Sequence, residues 1–289
     1  MASIQAEPKI RQFSKDLRWP GGSHVAVVFN VAYEAWSDGK APGIGPMGNP
    51  LPPGTFDTNA LSWGNYGQDT GIERLLKILD RHRHRATVMI SGVLAERVPH
   101  HVKAVGEAGH DIKAHSWAQD IVPAMLTPEQ DKENIRKTTQ ILEQVTGKRP
   151  RGWMSPRGTP GASTIRELAA AGYLYHSDAS DRDVPYVEVF DNGEIVAIPF
   201  SMDINDLPHA MRFGKTPRQF VENYEDFISH TLKAPDSPVV IDVTAHCHCY
   251  GRPGGAWAYE EIARQAAGRD DIWVTTREAI ADYVIAKGK

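Results

Sequence analysis

Hydrophobic residues in this chain gather in short runs, and several of these runs end in a side chain that carries charge or chemistry. Residues 24–31, HVAVVFNV, lead to Glu34, and Asp111–Ala114 lead to His115. Residues 151–154 lead to Arg157, residues 196–202 to Asp203 and Asp206, and residues 239–245 to His246 and His248. A near-unbroken apolar run is what a parallel strand covered on both faces looks like. Helical patterns follow most of them. Ile72, Leu75, Leu76 and Leu79 line one face of a helix over residues 71–84, and residues 85–91 then read as a strand. A helix over 93–108 closes at Gly109. Thr127-Pro128-Glu129-Gln130 is a capping box that opens a helix running to Val145 and stopped by Gly147. A short helix over 163–171 ends at Gly172, and the capping signature returns at Thr216–Gln219 and near Thr275–Glu278.

Strand, polar tip and helix in repetition predict a parallel α/β sheet. Polar tips on so many strands favour a closed or nearly closed barrel, whose strand ends open onto one face. An open sheet would gather its site at a single switch point instead. Residues 35–70 break every periodicity with a density of Gly and Pro. Trp36, Phe56, Trp63 and Tyr66 within them favour a functional lid over a disordered linker, because linkers are poor in aromatics. Residues 1–20 read as an N-terminal arm, packed outside the domain or on another subunit, and residues 21–289 as the catalytic domain.

Composition narrows the function. The 289 residues are 41% hydrophobic and 24% charged, enough for a sizeable core in a soluble protein. A net charge of −4 supplies no basic stripe, so nucleic acid is not an expected partner. No run reaches the roughly 18 apolar residues of a membrane span, and the charged residues 1–19 do not read as a secretory signal. Cys247 and Cys249 lie too close along one strand to pair comfortably, which suits a reducing, cytoplasmic location.

The candidate chemistry sits at the strand tips. Glu34 can act as general base or metal ligand, and His115 follows its strand directly, beside an aromatic and an acid. In Ala245-His246-Cys247-His248-Cys249, period-2 alternation would put both histidines on one face and both cysteines on the other. Four potential ligands pointing both ways cannot close a structural zinc site, so a catalytic His246 with His248 nearby is the expected reading. Arg157 could anchor a carboxylate. Asp178, Asp181, Asp183, Asp203 and Asp206 add acid to the same rim, some as turn formers only. Walker A, dinucleotide and GxSxG signatures are missing.

In order along the chain stand Trp19-Pro20-Gly21-Gly22, Tyr33-Glu34, residues 66–76, Gly109-His110-Asp111 with His115, Gly147-Lys148-Arg149-Pro150 before Gly152-Trp153, Ser177-Asp178 with Asp183-Val184-Pro185-Tyr186, Asn205-Asp206, and His246 before Gly251-Arg252-Pro253-Gly254. Together they resemble the polysaccharide deacetylase (NodB-homology) superfamily, and within it the intracellular allantoinase-like and cyclic-imide-hydrolase-like branch. The resemblance implies a distorted (β/α) barrel of seven or eight parallel strands in a single domain. It implies hydrolysis of a carbon–nitrogen bond outside peptides. It also implies that the metal-binding members' first acid and second histidine are replaced here by Ala32 and Gln119. The remaining set would be Glu34, His115 and Gln119, a poor zinc site because a neutral amide oxygen ligates weakly. No cofactor is firmly expected, although a divalent metal such as zinc stays conceivable at those three positions.

The expected reaction is ring opening of a small cyclic amide, imide or ureide, with Glu34 or His115 activating water, His246 as acid or oxyanion donor, and Arg157 positioning a carboxylate. Tyr66, Trp117, Asp183, Asp206 and His248 are the expected substrate contacts. The alternatives are a metal-dependent deacetylase of N-acetylated sugars and a non-catalytic binding protein on a decayed barrel. A small-molecule substrate and a homo-oligomer complete the expectation, with no membrane partner.

Overall fold

Residues 25–31 lie within a central strand, β2 (Val25–Tyr33), that is buried at all nine positions. Alternation explains how one strand serves two compartments. Val25, Val27, Phe29, Val31 and Tyr33 face a core shared with the helices. Ala26, Val28, Asn30, Ala32 and then Glu34 face the opposite way. In the computed structural model, residues 7–13, 16–48, 51–52, 54–234 and 238–288 are described. Parts of the expected arm (1–6, 14–15) and lid (49–50, 53) lie outside them.

The remaining strands are β1 (Lys9–Gln12), β3 (Thr87–Ile90), β4 (Asp111–Ala114), β5 (Gly152–Trp153), β6 (Tyr175–His176), β7 (Tyr186–Phe190), β8 (Gly193–Ala197), β9 (Ile204–Asn205), β10 (Val239–His246) and β11 (Trp273–Thr275). They make one sheet in the order β1-β7-β8-β6-β5-β4-β3-β2-β10-β9, with β11 on the lower half of β2. From β8 to β9 every pairing is parallel, while β7 and β1 add antiparallel at one edge. The helices are α1 (Thr58–Asn65), α2 (Ile72–Arg81), α3 (Val93–Arg97), α4 (Pro99–Glu107), α5 (Pro128–Thr146), α6 (Thr164–Ala170), α7 (Pro217–Lys233), α8 (Pro253–Ala266) and α9 (Arg277–Lys287). Among the described residues none is long and apolar enough to cross a membrane.

No ladder joins β8 to β9 among the described residues, but side chains bridge the interior as in a barrel. Arg277, at the start of α9, donates to Asp242 of β10, to Ser177 just after β6, and to the carbonyls of Ile198 and Pro199 after β8. Asn30 of β2 donates to the same Asp242, and Lys113 of β4 reaches Ser177. Four levels therefore stack along the interior. A lower apolar plug contains Ala26, Val28, Tyr175 and Val240, and Trp19 closes it. Above it lies the charged belt of Arg277, Asp242 and Lys113. A thin layer of Ala32, Met89, Met154 and Phe200 follows. Glu34, His115 and His246 crown the stack.

Several expected elements differ. The 93–108 helix is broken into α3 and α4, because Pro99 cannot continue the preceding turn and instead starts a new helix. The 35–70 segment contains helix α1, capped by the Asp57 carboxylate, and a π-helical turn at Gly67–Gly71. Of the expected strand at 196–202, only Val196 and Ala197 lie in a strand, the end of β8, which follows β7 in an antiparallel hairpin. The arm is more than an outer wrapping: β1 extends the sheet through β7, and Trp19 is 1% exposed. The capping boxes at Thr127 and Thr216 form with both reciprocal hydrogen bonds.

Candidate active site

Three strand tips bring their side chains to one point. Glu34 Oε1 lies 3.4 Å from His115 Nε2 and 3.7 Å from His246 Nε2. All three side chains are buried. The local backbone aims them. Ser116, directly after His115, adopts a left-handed conformation (φ 55°), which costs an L-residue roughly 1–2 kcal/mol. Its carbonyl accepts from Gly92, and its hydroxyl from Asn134 of α5.

The two imidazoles are held differently at their far nitrogens. His115 Nδ1 lies 2.6 Å from the Met154 carbonyl oxygen, an acceptor, so Nδ1 carries the proton and Nε2 turns to Glu34. His246 Nδ1 lies 2.6 Å from the Asp206 carboxylate. Asp206 is fully buried and also accepts from the backbone N–H groups of His246 and Tyr250, at 2.8 and 2.9 Å. Burial works against charge on His246, yet the Asp206 and Glu34 carboxylates outweigh it and push its pKa up to about 9. Burial likewise opposes charge on Glu34, and the surrounding histidines, His246 first, outweigh it and pull Glu34 down to about 2.

His248 is the opposite case. Burial, with His246 adding, lowers it to about 4, so it is a neutral imidazole at working pH. Its ring meets Trp63 and Trp36 edge-on, at centroid separations of 4.6 and 5.5 Å, and His246 at 5.5 Å. Its Nδ1 is buried without a hydrogen-bond partner among the described residues. The expected strand alternation stops at His246, where β10 ends. Residues 247–250 form a turn, with Cys249 N–H and Gly251 N–H donating to the His246 carbonyl, and it is this turn that brings both rings to one site. The turn is packed from behind by the π-helical segment. A Cβ on Gly71 would sit 2.0 Å from the Cys247 carbonyl oxygen, so only glycine fits there. Both cysteines are buried free thiols.

Other expected contacts lie elsewhere. Arg157 is exposed in a left-handed conformation (φ 62°) on the turn after β5, and its guanidinium makes no hydrogen bond or ion pair among the described residues. Asp178 supports that turn by accepting from Ser155 N–H and Oγ, at 2.7 Å each. Trp117 packs against Gly92, with the Lys137 ammonium 3.2 Å from its ring centroid. Tyr66 lies under Arg252 and accepts a hydrogen bond from Arg74, one layer behind His248. Asp183 is exposed on its loop. Asp206 reaches no cavity: its carboxylate is consumed by His246 and two backbone groups, which makes it a positioning residue. The Asn205-Asp206 pairing flagged the residue, but nothing in the sequence indicated that His246 would be its partner.

Of the metal set implied by the resemblance, Glu34 and His115 stand together. Ala32 packs in the apolar layer, and the Gln119 amide donates to Ser91 Oγ. Among the described residues, one group of three or more His, Cys, Asp or Glu has its ligand atoms within 4.8 Å of one another, and it lies elsewhere. Glu34, His115 and His246 converge as an acid–base cluster instead.

A parallel barrel-like sheet with a carboxylate between two imidazoles at its strand tips defines a hydrolytic site, and comparisons with known proteins agree. The family model "Polysaccharide deacetylase" matches residues 54–176. The peptidoglycan deacetylase of Helicobacter pylori is 24% identical over 88% of this chain and 96% of its own. The solved structure of Puue allantoinase superposes with a TM-score of 0.80 and 27% identity, covering 93% of this chain and 92% of that one. A "probable polysaccharide deacetylase" from Pseudomonas aeruginosa PAO1 gives 0.82 and 28%, covering 93% of each. The chain carries a polysaccharide deacetylase (NodB-homology) domain and is a hydrolase of carbon–nitrogen bonds other than peptide bonds.

Proposed function

We propose that this hydrolase opens a small cyclic amide, imide or ureide ring. The observation that carries the proposal is the asymmetry of the two imidazoles. A carboxylate behind His246 stabilises its protonated form, whereas the carbonyl behind His115 only fixes a tautomer. One imidazole is thereby an acid and the other keeps a free Nε2 as base. Glu34, held down to about 2, is a weak base and serves as the charge between them.

His115 Nε2 takes a proton from water as the oxygen attacks the ring carbonyl. A carbon–oxygen bond forms, and the carbonyl electrons move to an oxyanion. Collapse of that intermediate breaks the carbon–nitrogen bond, and His246 Nε2–H protonates the departing nitrogen. The proton left on His115 returns to His246 along Glu34, which touches both. Cyclic imides and ureides are more reactive than a plain acetamide, which suits a site where Ala32 and Gln119 stand in place of an acid and an imidazole. The Trp36 and Trp63 rings around neutral His248 suit a flat ring, and the likeness to Puue allantoinase over nearly the whole chain points the same way. A small-molecule substrate and a cytoplasmic homo-oligomer belong to the same proposal.

The test is a turnover screen of purified protein against allantoin, hydantoins, cyclic imides and N-acetylglucosamine oligomers, with added zinc and with chelator. Ring opening that survives the chelator is the expected result. Acetate release from the sugars, dependent on zinc, would overturn the proposal in favour of a deacetylase; no turnover in any arm would favour a binding protein.

A further inference from the structure

A second constellation stands outside the barrel mouth and takes no part in the chemistry above. Asp69 in the π-helical turn and His100 and His101 at the start of α4 place one ligand atom each within 4.8 Å of the others. His101 Nε2 is 3.1 Å from Asp69 Oδ1 and 4.0 Å from Glu73 Oε1. The His100 and His101 rings stand 4.1 Å apart by centroid, although neighbours on a helix usually diverge. We propose that Asp69, His100 and His101, with Glu73 at the edge, bind a divalent transition ion of the zinc class.

Donor chemistry supports that class. Two imidazoles and a carboxylate suit zinc, copper or nickel, whereas magnesium and calcium prefer oxygen throughout. Tetrahedral zinc, with bonds of roughly 2.0–2.2 Å, needs donors about 3.3 Å apart, so the Asp69–His101 separation already fits and His100 closes by a rotamer change. A helix N-terminus repels cations, but two carboxylates outweigh its partial charge. Glu73 also pairs with Lys77 at 3.2 Å, which leaves it the weakest donor. Asp69 and His100 are exposed, so the ion has an open path.

The position gives such an ion a role. Asp69 lies between Gly67 and Gly71, whose backbone packs on Cys247 and the amide of His248. Gln68 beside it accepts a hydrogen bond from Tyr33 at the top of β2, one residue before Glu34. An ion joining Asp69 to α4 would clamp the segment that backs the His246–His248 turn. It would also mislead an assay, since one zinc per chain found by elemental analysis would lie outside the catalytic cluster.

The experiment is equilibrium dialysis of metal-free protein against zinc, read by elemental analysis, for wild type, His100→Ala/His101→Ala, Asp69→Asn and Glu34→Gln/His115→Asn. Expected are one zinc per chain in wild type and in Glu34→Gln/His115→Asn, and loss of that zinc in the other two. The melting temperature of wild type should rise by a few degrees at zinc about a hundredfold above its dissociation constant, and that of His100→Ala/His101→Ala should not. Circular dichroism confirms that the surface variants fold. Cobalt(II) in place of zinc supplies an independent reading, as visible d–d absorption lost with the histidines. Absence of zinc in wild type, or its retention in both surface variants, would overturn the site. Zinc lost only in Glu34→Gln/His115→Asn would overturn it and count against the metal-independent mechanism as well. Two zincs, one lost in each set, would uphold the surface site and count against that mechanism alone.

Discussion

The interior of this barrel holds two buried charged assemblies, the Arg277 belt at mid-height and the Glu34 cluster at the mouth, and they are built from different chemistry. The belt uses groups whose charge is fixed near neutrality: guanidinium and carboxylate. Asp242 receives Arg277, Asn30 and the Ser201 N–H, while Arg277 reaches three further acceptors. Lys113 lies beside that pair and is pushed well below the usual lysine range, by burial first and by Arg277 next, so the fixed charges of the belt are those of Arg277 and Asp242. The mouth instead gathers imidazoles around the Glu34 carboxylate, and their surroundings put His248 at about 4 and His246 at about 9. Fixed charges tie strands together. Groups that give and take protons can turn a reaction over, and two layers apart the same barrel does both.

Breaking the belt should therefore cost stability, and this is the largest effect expected. Arg277→Ala leaves Asp242 buried and unpaired, which costs about 3–5 kcal/mol and should appear as a fall in the urea midpoint. If that variant does not accumulate, Arg277→Met with Asp242→Leu removes both charges and should recover much of the loss. A single Arg277→Ala variant as stable as wild type would mean that the belt ties nothing together.

Breaking the mouth should do the reverse. His246→Asn removes the proposed acid and should lower turnover at least about a hundredfold, a loss larger than the accompanying fall in the urea midpoint explains. His115→Asn should cost a similar factor. Glu34→Gln should weaken both steps, because it removes the charge that joins the two imidazoles. Turnover that falls only in step with stability would return these residues to a structural role.

How much of this was legible in the sequence depends on which periodicity was read. The apolar runs and capping signatures located most strands and helices, because burial on both faces and satisfied helix ends leave strong local marks. The same runs hid the belt. Asp242 lies two positions below Thr244 and four below His246, and Lys113 two below His115, so both strands carry polar residues at every second position of their inner face. Read as continuous hydrophobic stretches, they conceal it. Convergence of Glu34, His115 and His246 could be anticipated because barrel strand tips share one face. Arg157, Trp117 and Asp183 carried the same tip signal, and only side-chain direction separates them, which loop sequence does not encode. The α1 helix was lost among glycines and prolines that serve close packing and turns rather than disorder.

The finest distinction within the mouth is between the two imidazoles, and Asp206→Asn addresses it with the smallest expected effect. Wild-type activity should fall as pH rises through about 9, when His246 loses its proton. Asparagine can still accept from the backbone but supplies no charge, so that limb should move toward neutrality by about one unit or more. Stability follows the same group with a definite sign. His246 titrates higher in the folded chain than its ordinary 6.5, so its contribution is complete below that value and is lost as pH rises through about 9. The variant should accordingly be less stable than wild type near pH 6, and the gap should narrow toward pH 10. A limb that stays in place in Asp206→Asn would assign the acid to another residue, and the asymmetry between His246 and His115 would no longer distinguish their roles.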